Sequence, residues 1–127
     1  MGIRVVPLVG PSSIFLALMG SGMNGQSFTF HGYLPRDPLK RKSRIKQLER
    51  ESLRKSETQI FIEAPYRNRS LFEDILQVCN PNTELSLSVD ITGENEYIKT
   101  MNIGDWKNEK DFKILDIPTI YLILAKR

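Results

Sequence analysis

The chain has 127 residues, 40% hydrophobic and 26% charged, with a net charge of +3 and one cysteine. This length fits one domain able to bury its own core, and the composition excludes collagen-like and strongly biased, disordered classes. No apolar run approaches the roughly 18 to 20 residues that cross a bilayer, and the single Cys79 excludes an internal disulfide and fits a reducing cytoplasm.

Val5 to Gly10 reads as an apolar strand end, and Gly10-Pro11-Ser12-Ser13 as a turn into a helix from Ile14 to about Ser21, with a serine hydroxyl accepting from an early free N–H. The helix is apolar nearly all round, which predicts burial on most sides. Gly22 stops it, and Phe28–Tyr33 follows as an aromatic-rich strand closed by Pro35. Asp37 then caps a helix that has Pro38 at its first position, where a missing N–H costs nothing. Over Leu39 to Lys55 this helix carries only a thin apolar stripe (Ile45, Leu48, Leu53), which predicts a position on the outside of the domain.

Between Arg36 and Lys55 lie nine of the eighteen basic residues (Arg36, Lys40, Arg41, Lys42, Arg44, Lys46, Arg50, Arg54 and Lys55) against Asp37, Glu49 and Glu51. That stretch carries +6 and the rest of the chain −3, so the charge is a local field. Such a cluster can neutralise several phosphates and give salt-dependent affinity for RNA. It can also be a solvated helix face with a Glu51–Lys55 pair. The helix itself contains no aromatic residue, which points to backbone contact and away from base stacking there.

Thr58 to Glu63, with Ile60, Phe61 and Ile62 in a row, predicts a short strand covered on both faces. Leu71, Phe72, Ile75, Leu76 and Cys79 recur at helical spacing, with Ser70 and Glu73 as a candidate capping box, and Asn80-Pro81-Asn82 ends that helix. Leu85, Leu87, Val89 and Ile91 alternate with Ser86, Ser88 and Asp90, the pattern of a strand with one wet face. Thr92 to Asn95 turns the chain, Tyr97 to Ile103 is a weaker strand, a polar loop surrounds Trp106 to Asp111, and Pro118 to Ala125 is the last strand. The expected fold class is α/β with an α+β-like character: a mixed sheet of about five strands with helices on its faces, the early strands parallel and the final ones antiparallel.

Val6-Pro7-Leu8-Val9-Gly10-Pro11-Ser12-Ser13, Ser21-Gly22 and Phe30-His31-Gly32-Tyr33-Leu34-Pro35 occur in that order. They are followed by Glu63-Ala64-Pro65-Tyr66-Arg67 and Asp90-Ile91-Thr92-Gly93. Together they resemble the second half of the tetrapyrrole (corrin/porphyrin) methylase superfamily, and most of all its branch that methylates a ribose 2′-hydroxyl of small-subunit ribosomal RNA. Glu63 to Arg67 resembles that branch's Glu-x-Pro-His-Arg element, and Gly93 stands where the branch has the lysine of Leu-Thr-Lys. The resemblance implies that residues 1–127 form the C-terminal domain of a two-domain methyltransferase whose N-terminal domain, with its glycine-rich loop, is missing from this chain.

The same resemblance implies S-adenosylmethionine as cofactor, held by Pro11 and Ser12 at the helix start, by Tyr33 and Leu34 as an apolar wall, and by Ile117, Pro118 and Thr119 near the adenosine. Read without it, Gly10 to Ser13 is an ordinary capped helix start and Tyr33 to Pro35 a corner that redirects the chain. Arg36, Lys40, Arg41 and Arg44 are the candidate contacts to an RNA substrate, with a tetrapyrrole as the other substrate class. No residue is assigned as general base. His31 reads as a structural hydrogen bonder more readily than as a proton acceptor, and one histidine with one distant cysteine makes no usual metal site. Glu63 and Arg67 read either as a local ion pair or as part of a substrate or dimer contact. Two further readings stand beside the methyltransferase: a non-catalytic RNA-binding module built on the 36–55 helix, and a homodimerisation domain whose buried helix and final strand meet a twin subunit.

Overall fold

A computed structural model describes residues 11–23, 25–109 and 116–126. Val5 to Gly10 and Asp111 of the readings above lie outside the described residues. In chain order the elements are α1 (Pro11–Ser21), β1 (Phe28–Tyr33), α2 (Pro38–Lys55), β2 (Thr58–Ile62), a single 3-10 turn (Pro65–Arg67), α3 (Asn68–Val78), β3 (Glu84–Val89), β4 (Tyr97–Asn102), α4 (Ile103–Asn108) and β5 (Thr119–Leu124). The five strands form one sheet in the order β1-β2-β5-β3-β4. β1 and β2 are parallel, and the other pairs are antiparallel. The mixed sheet with helices is as expected.

Each face of the sheet has its own core. On one side Ile45 and Leu48 of α2 and Leu71 and Ile75 of α3 meet Phe61, Leu85, Leu87, Tyr121 and Ile123. On the other, Ile14, Ala17 and Leu18 of α1 cover Ile60, Ile62, Ile120 and Leu122. β2 and β5 are buried on both faces, which explains their continuous apolar runs.

Five local readings are corrected. β3 has no wet face: Ser86 and Ser88 are fully buried because α1 packs over them, and Ser86 Oγ accepts from Thr100 Oγ1 at 2.9 Å. α3 starts at Asn68, directly after the 3-10 turn, so Ser70 and Glu73 lie inside the helix and form no capping box. Residues 103–108 are helical, with the Asn102 side chain accepting from Asp105 N at 2.8 Å, where the end of a strand and a loop were expected. Trp106 of that helix is buried, edge-on to Phe72, and donates from Nε1 to the Leu85 carbonyl at 2.8 Å.

The fourth and fifth corrections concern helix faces. Only half of α1 is buried: Phe15, Leu16 and Met19 stay exposed. The inward side of α2 is Arg41, Ile45, Leu48, Glu49 and Ser52, while Leu53 is exposed. Asp37 caps α2 as expected, accepting from Lys40 N at 3.0 Å.

Candidate functional site

The parallel pairing of β1 with β2 and the reversed insertion of β5 and β3 bring four chain segments to one edge of the sheet. Tyr33 ends β1 opposite Ile62 of β2, Ile62 faces Ile120 of β5, and Thr119 of β5 faces Val89 of β3. Tyr33-Leu34, Glu63-Ala64, Ile117-Pro118-Thr119 and Asp90 to Gly93 therefore sit side by side. A crevice beyond the ends of parallel strands is where open sheets take ligands.

A concavity of about 440 Å³ opens at this edge, lined by Tyr33, Leu34, Arg36, Glu63, Ala64, Tyr66 and Arg67. Tyr33 is exposed, whereas Leu34 is buried in the core beneath it. A second groove of about 360 Å³ is lined by Pro35, Leu39, Lys40, Ser43, Arg44 and Gln47, and adjoins the first at the Tyr33 to Arg36 corner.

Buried charges hold the floor in place. Arg41 Nε donates to Asp74 Oδ2 at 2.7 Å, and its NH1 lies 3.8 Å from Glu63 Oε2. Glu63 Oε1 accepts from Ala64 N at 2.7 Å and Arg67 Nε at 3.1 Å, while Oε2 has no hydrogen-bond donor. The pairing with Glu63 pushes the Arg67 guanidinium still higher than usual. Arg41 is thus a correction to the RNA-contact set, because its charge is spent inside the protein. Arg36 and Lys40 remain exposed at the rim and Arg44 partly so.

Asn68 was not singled out by the sequence, yet it locks the start of β5. Its Nδ2 donates to the Ile117 carbonyl at 2.7 Å, and its Oδ1 accepts from Tyr121 Oη at 2.8 Å. Thr119 Oγ1 also donates to the Ile117 carbonyl at 2.9 Å and Asp90 N to the Pro118 carbonyl at 2.8 Å, so these two carbonyls are engaged within the protein. Burial pushes the Tyr121 phenol well above its ordinary range, with the Glu63 charge adding to the effect.

Pro11 and Ser12 are exposed in the first turn of α1, and the strand-edge contacts above do not include them. α1 lies on the other face of the sheet, and its Phe15 ring meets Phe28 at the opposite end of β1, with centroids 6.0 Å apart. The edge therefore assembles Tyr33, Leu34, Ile117, Pro118 and Thr119 from distant parts of the sequence, while Pro11 and Ser12 belong to the helix on the other face.

His31 points to the α2 side. Its Nε2 donates to Gln59 Oε1 at 2.5 Å, which leaves Nδ1 to accept from Arg44 NH2 at 3.3 Å. Both ring nitrogens are engaged. Among the described residues no group of three or more His, Cys, Asp or Glu is placed to hold a metal ion, and no helix is long and apolar enough to cross a membrane.

The Asp90 to Gly93 turn explains the glycine in place of a lysine. Asp90 and Thr92 both take left-handed backbone, at φ 50° and 65°, and Asp90 Oδ2 accepts from Asn95 N at 3.0 Å. A Cβ on residue 93 would run into the Asp90 carboxylate.

No protein-family model matches the sequence. The chain is 34% identical over 113 residues to the ribosomal RNA small subunit methyltransferase I of Vibrio cholerae, covering 87% of this chain. It is 32% identical to the protein of the same name from Buchnera aphidicola, over 86% of its length. Two solved structures share the fold: cobalt precorrin-4 methyltransferase CbiF (TM-score 0.58, 12% identity, covering 88% of this chain and 48% of that one) and the methyltransferase CobJ (0.53, 17%, 90% and 49%). Over these residues the chain is homologous to the proteins named ribosomal RNA small subunit methyltransferase I, and it shares its fold with the two solved methyltransferases. It spans about 38% of the length of the two curated relatives.

Proposed function

We propose that the chain supplies one wall of the cleft of an S-adenosylmethionine-dependent methyltransferase that acts on a ribose 2′-hydroxyl of small-subunit ribosomal RNA. The observation that carries this reading is the similarity to proteins named ribosomal RNA small subunit methyltransferases, over most of this chain. Two features of the fold support it. The sheet edge gathers Tyr33, Leu34 and Ile117 to Thr119, and the cationic start of α2 leads away from that same edge.

The edge fits a nucleoside-bearing cofactor as half of a site. Leu34 and Ala64 give apolar surface, Tyr33 an exposed ring, and the start of β5 a segment fixed in place by Asn68. Pro11 and Ser12 complete the assigned set from the helix on the other face. When bound, S-adenosylmethionine supplies an activated methyl group on a sulfonium, so the protein has chiefly to align the acceptor and exclude water. In this chain Arg36, Lys40 and Arg44 would hold RNA phosphates near the edge, with positioning as their contribution.

The opposite wall belongs to the N-terminal domain expected upstream, so the isolated chain is expected to bind cofactor weakly and turn over nothing. The test joins this sequence to its upstream coding region and measures methyl transfer from labelled S-adenosylmethionine to small-subunit ribosomal RNA and to a corrin. Transfer to the RNA ribose supports the reading. Transfer to the corrin alone replaces the substrate, and salt-dependent RNA binding without cofactor affinity in the joined protein favours the non-catalytic module.

A further inference from the structure

We propose that Tyr66, backed by Arg67, is a stacking platform for one unpaired base of an RNA strand, with Arg36 and Lys40 holding the phosphates beside it. The inference rests on the reading that the substrate is RNA, and it names the form of RNA that the surface takes.

Tyr66 is 69% exposed in the 3-10 turn after β2. A large ring so exposed is normally free to change rotamer, and here it is held. The Arg67 guanidinium carbon lies 4.6 Å from the ring centroid, and Arg67 NH1 donates to Tyr66 Oη at 2.9 Å. Arg67 is in turn fixed by the buried Glu63, which faces Arg41 and, through it, Asp74 of α3. Four charged residues thus immobilise one ring that packs into no core. One face of the ring carries the guanidinium, and the ring, 69% exposed, lines the concavity shared with Tyr33 and Arg36.

An exposed aromatic face flanked by arginines suits a base and its phosphate, since every base has a π-face and stacking tolerates any sequence. Paired bases in an A-form helix have no free face to offer, so the platform selects single-stranded or looped RNA. The sequence placed the cations on a helix without aromatics. The fold brings two exposed tyrosines, Tyr33 and Tyr66, to the start of that helix, where Lys40 and Arg44 line the adjoining groove. Arg36 and Lys40 then hold phosphates on either side of the single base contact that Tyr66, backed by Arg67, supplies.

The test titrates this chain with a single-stranded RNA of about ten nucleotides, within the usual size range of single-strand sites, and with a duplex of the same sequence. The single strand carries 2-aminopurine, whose fluorescence falls when it stacks. The wild type should prefer the single strand and quench the probe. Tyr66→Ala should weaken single-strand binding about 5- to 150-fold, the worth of one stacked base. It should also abolish the quenching and leave the dependence on salt unchanged, whereas Tyr66→Phe should bind within about twofold of wild type because the ring is kept. Lys40→Gln should instead lower the salt slope by about 0.7 and keep the quenching. Trp106 fluorescence checks that each variant is folded. Salt-dependent single-strand binding that ignores Tyr66→Ala, or a duplex bound as tightly as the single strand, overturns the platform and leaves an RNA substrate standing. Absence of any salt-dependent RNA binding by the wild type overturns both.

Discussion

Arg41→Met is the perturbation that tests the charged floor of the site most directly. The wild-type guanidinium lies between Asp74, at 2.7 Å, and Glu63 Oε2, at 3.8 Å, and its side chain is only 5% exposed. Methionine fills similar space, so packing is largely kept and the loss is electrostatic. Removing one partner of a buried pair leaves the other charge uncompensated at a cost of about 3 to 5 kcal/mol. Glu63 retains Arg67, so Asp74 suffers most. Against a domain stability of about 5 to 15 kcal/mol, the variant loses a large share without being obliged to unfold. Trp106, the only tryptophan and 2% exposed, reports unfolding by its fluorescence. With a urea slope of about 2 kcal/mol per molar, the midpoint falls by roughly 1.5 to 2.5 M. Arg41→Met with Asp74→Leu removes both charges and should recover most of the loss, since an apolar replacement of a whole buried pair is often neutral. A single variant that loses less than about 1 kcal/mol, or a double variant as unstable as the single, refutes the argument that Arg41 works inside the protein.

Glu57 makes an acid limb in the stability profile. Hydrogen bonds from Thr29 at 2.6 Å, then Gln59 and Ser27, hold its carboxyl below the usual value of 4.5. Its contribution is therefore present above about pH 4.5 and lost as the pH falls through the lower folded value. Glu57→Gln should destabilise the protein at pH 7 and flatten that limb in urea titrations between pH 3 and pH 6. The Cys79 thiol, buried and pushed up to about 12, should resist a disulfide reagent at pH 8 until urea unfolds the chain, whereas rapid reaction in native buffer would contradict its burial. Gly93→Ala should cost about 0.5 to 1.5 kcal/mol, the worth of one hydrogen bond, because the Asp90 carboxylate must move and release Asn95 N to water. An unchanged urea midpoint would show that the turn has room for a side chain.

Much of the fold is legible where local pattern and tertiary environment agree. The apolar runs of β2 and β5 mark strands covered twice, and the spacing of Leu71, Ile75 and Cys79 fixes which side of α3 faces inward. What escapes is set by distant neighbours. Ser86 and Ser88 look solvent-facing by alternation, but α1, more than sixty residues earlier, covers them. Arg41 and Glu49 read as surface charge because periodicity scores hydropathy, whereas α2 buries both against partners. Arg41 meets Asp74, and Glu49 Oε2 accepts from Asn80 N at 2.7 Å and Thr83 Oγ1 at 2.5 Å. The position of β5 between β2 and β3 is also nonlocal, and it is what sets Ile117 to Thr119 beside Glu63 and Asp90.

The candidate site divides along the same line. Tyr33, Leu34 and Ile117 to Thr119 were named from a resemblance, and strand register alone accounts for their meeting at one edge. Tyr66 lay inside the Glu63 to Arg67 element with no role assigned to it, since its exposure depends on what the fold leaves uncovered. Glu63 and Arg67 were legible as a local pair, but the pair is one link between α3 and the surface. Asp74 fixes Arg41, Arg41 offsets the charge of Glu63, and Glu63 orients Arg67 against the ring. Desolvating three charges, Arg41, Glu63 and Asp74, for stability alone would be a poor exchange, because apolar side chains of similar volume do as well. The arrangement does give α2 a defined register at the point where its exposed cations leave the sheet edge, and it presents an aromatic face at the head of that row. A cationic helix that only solvated the domain would need neither.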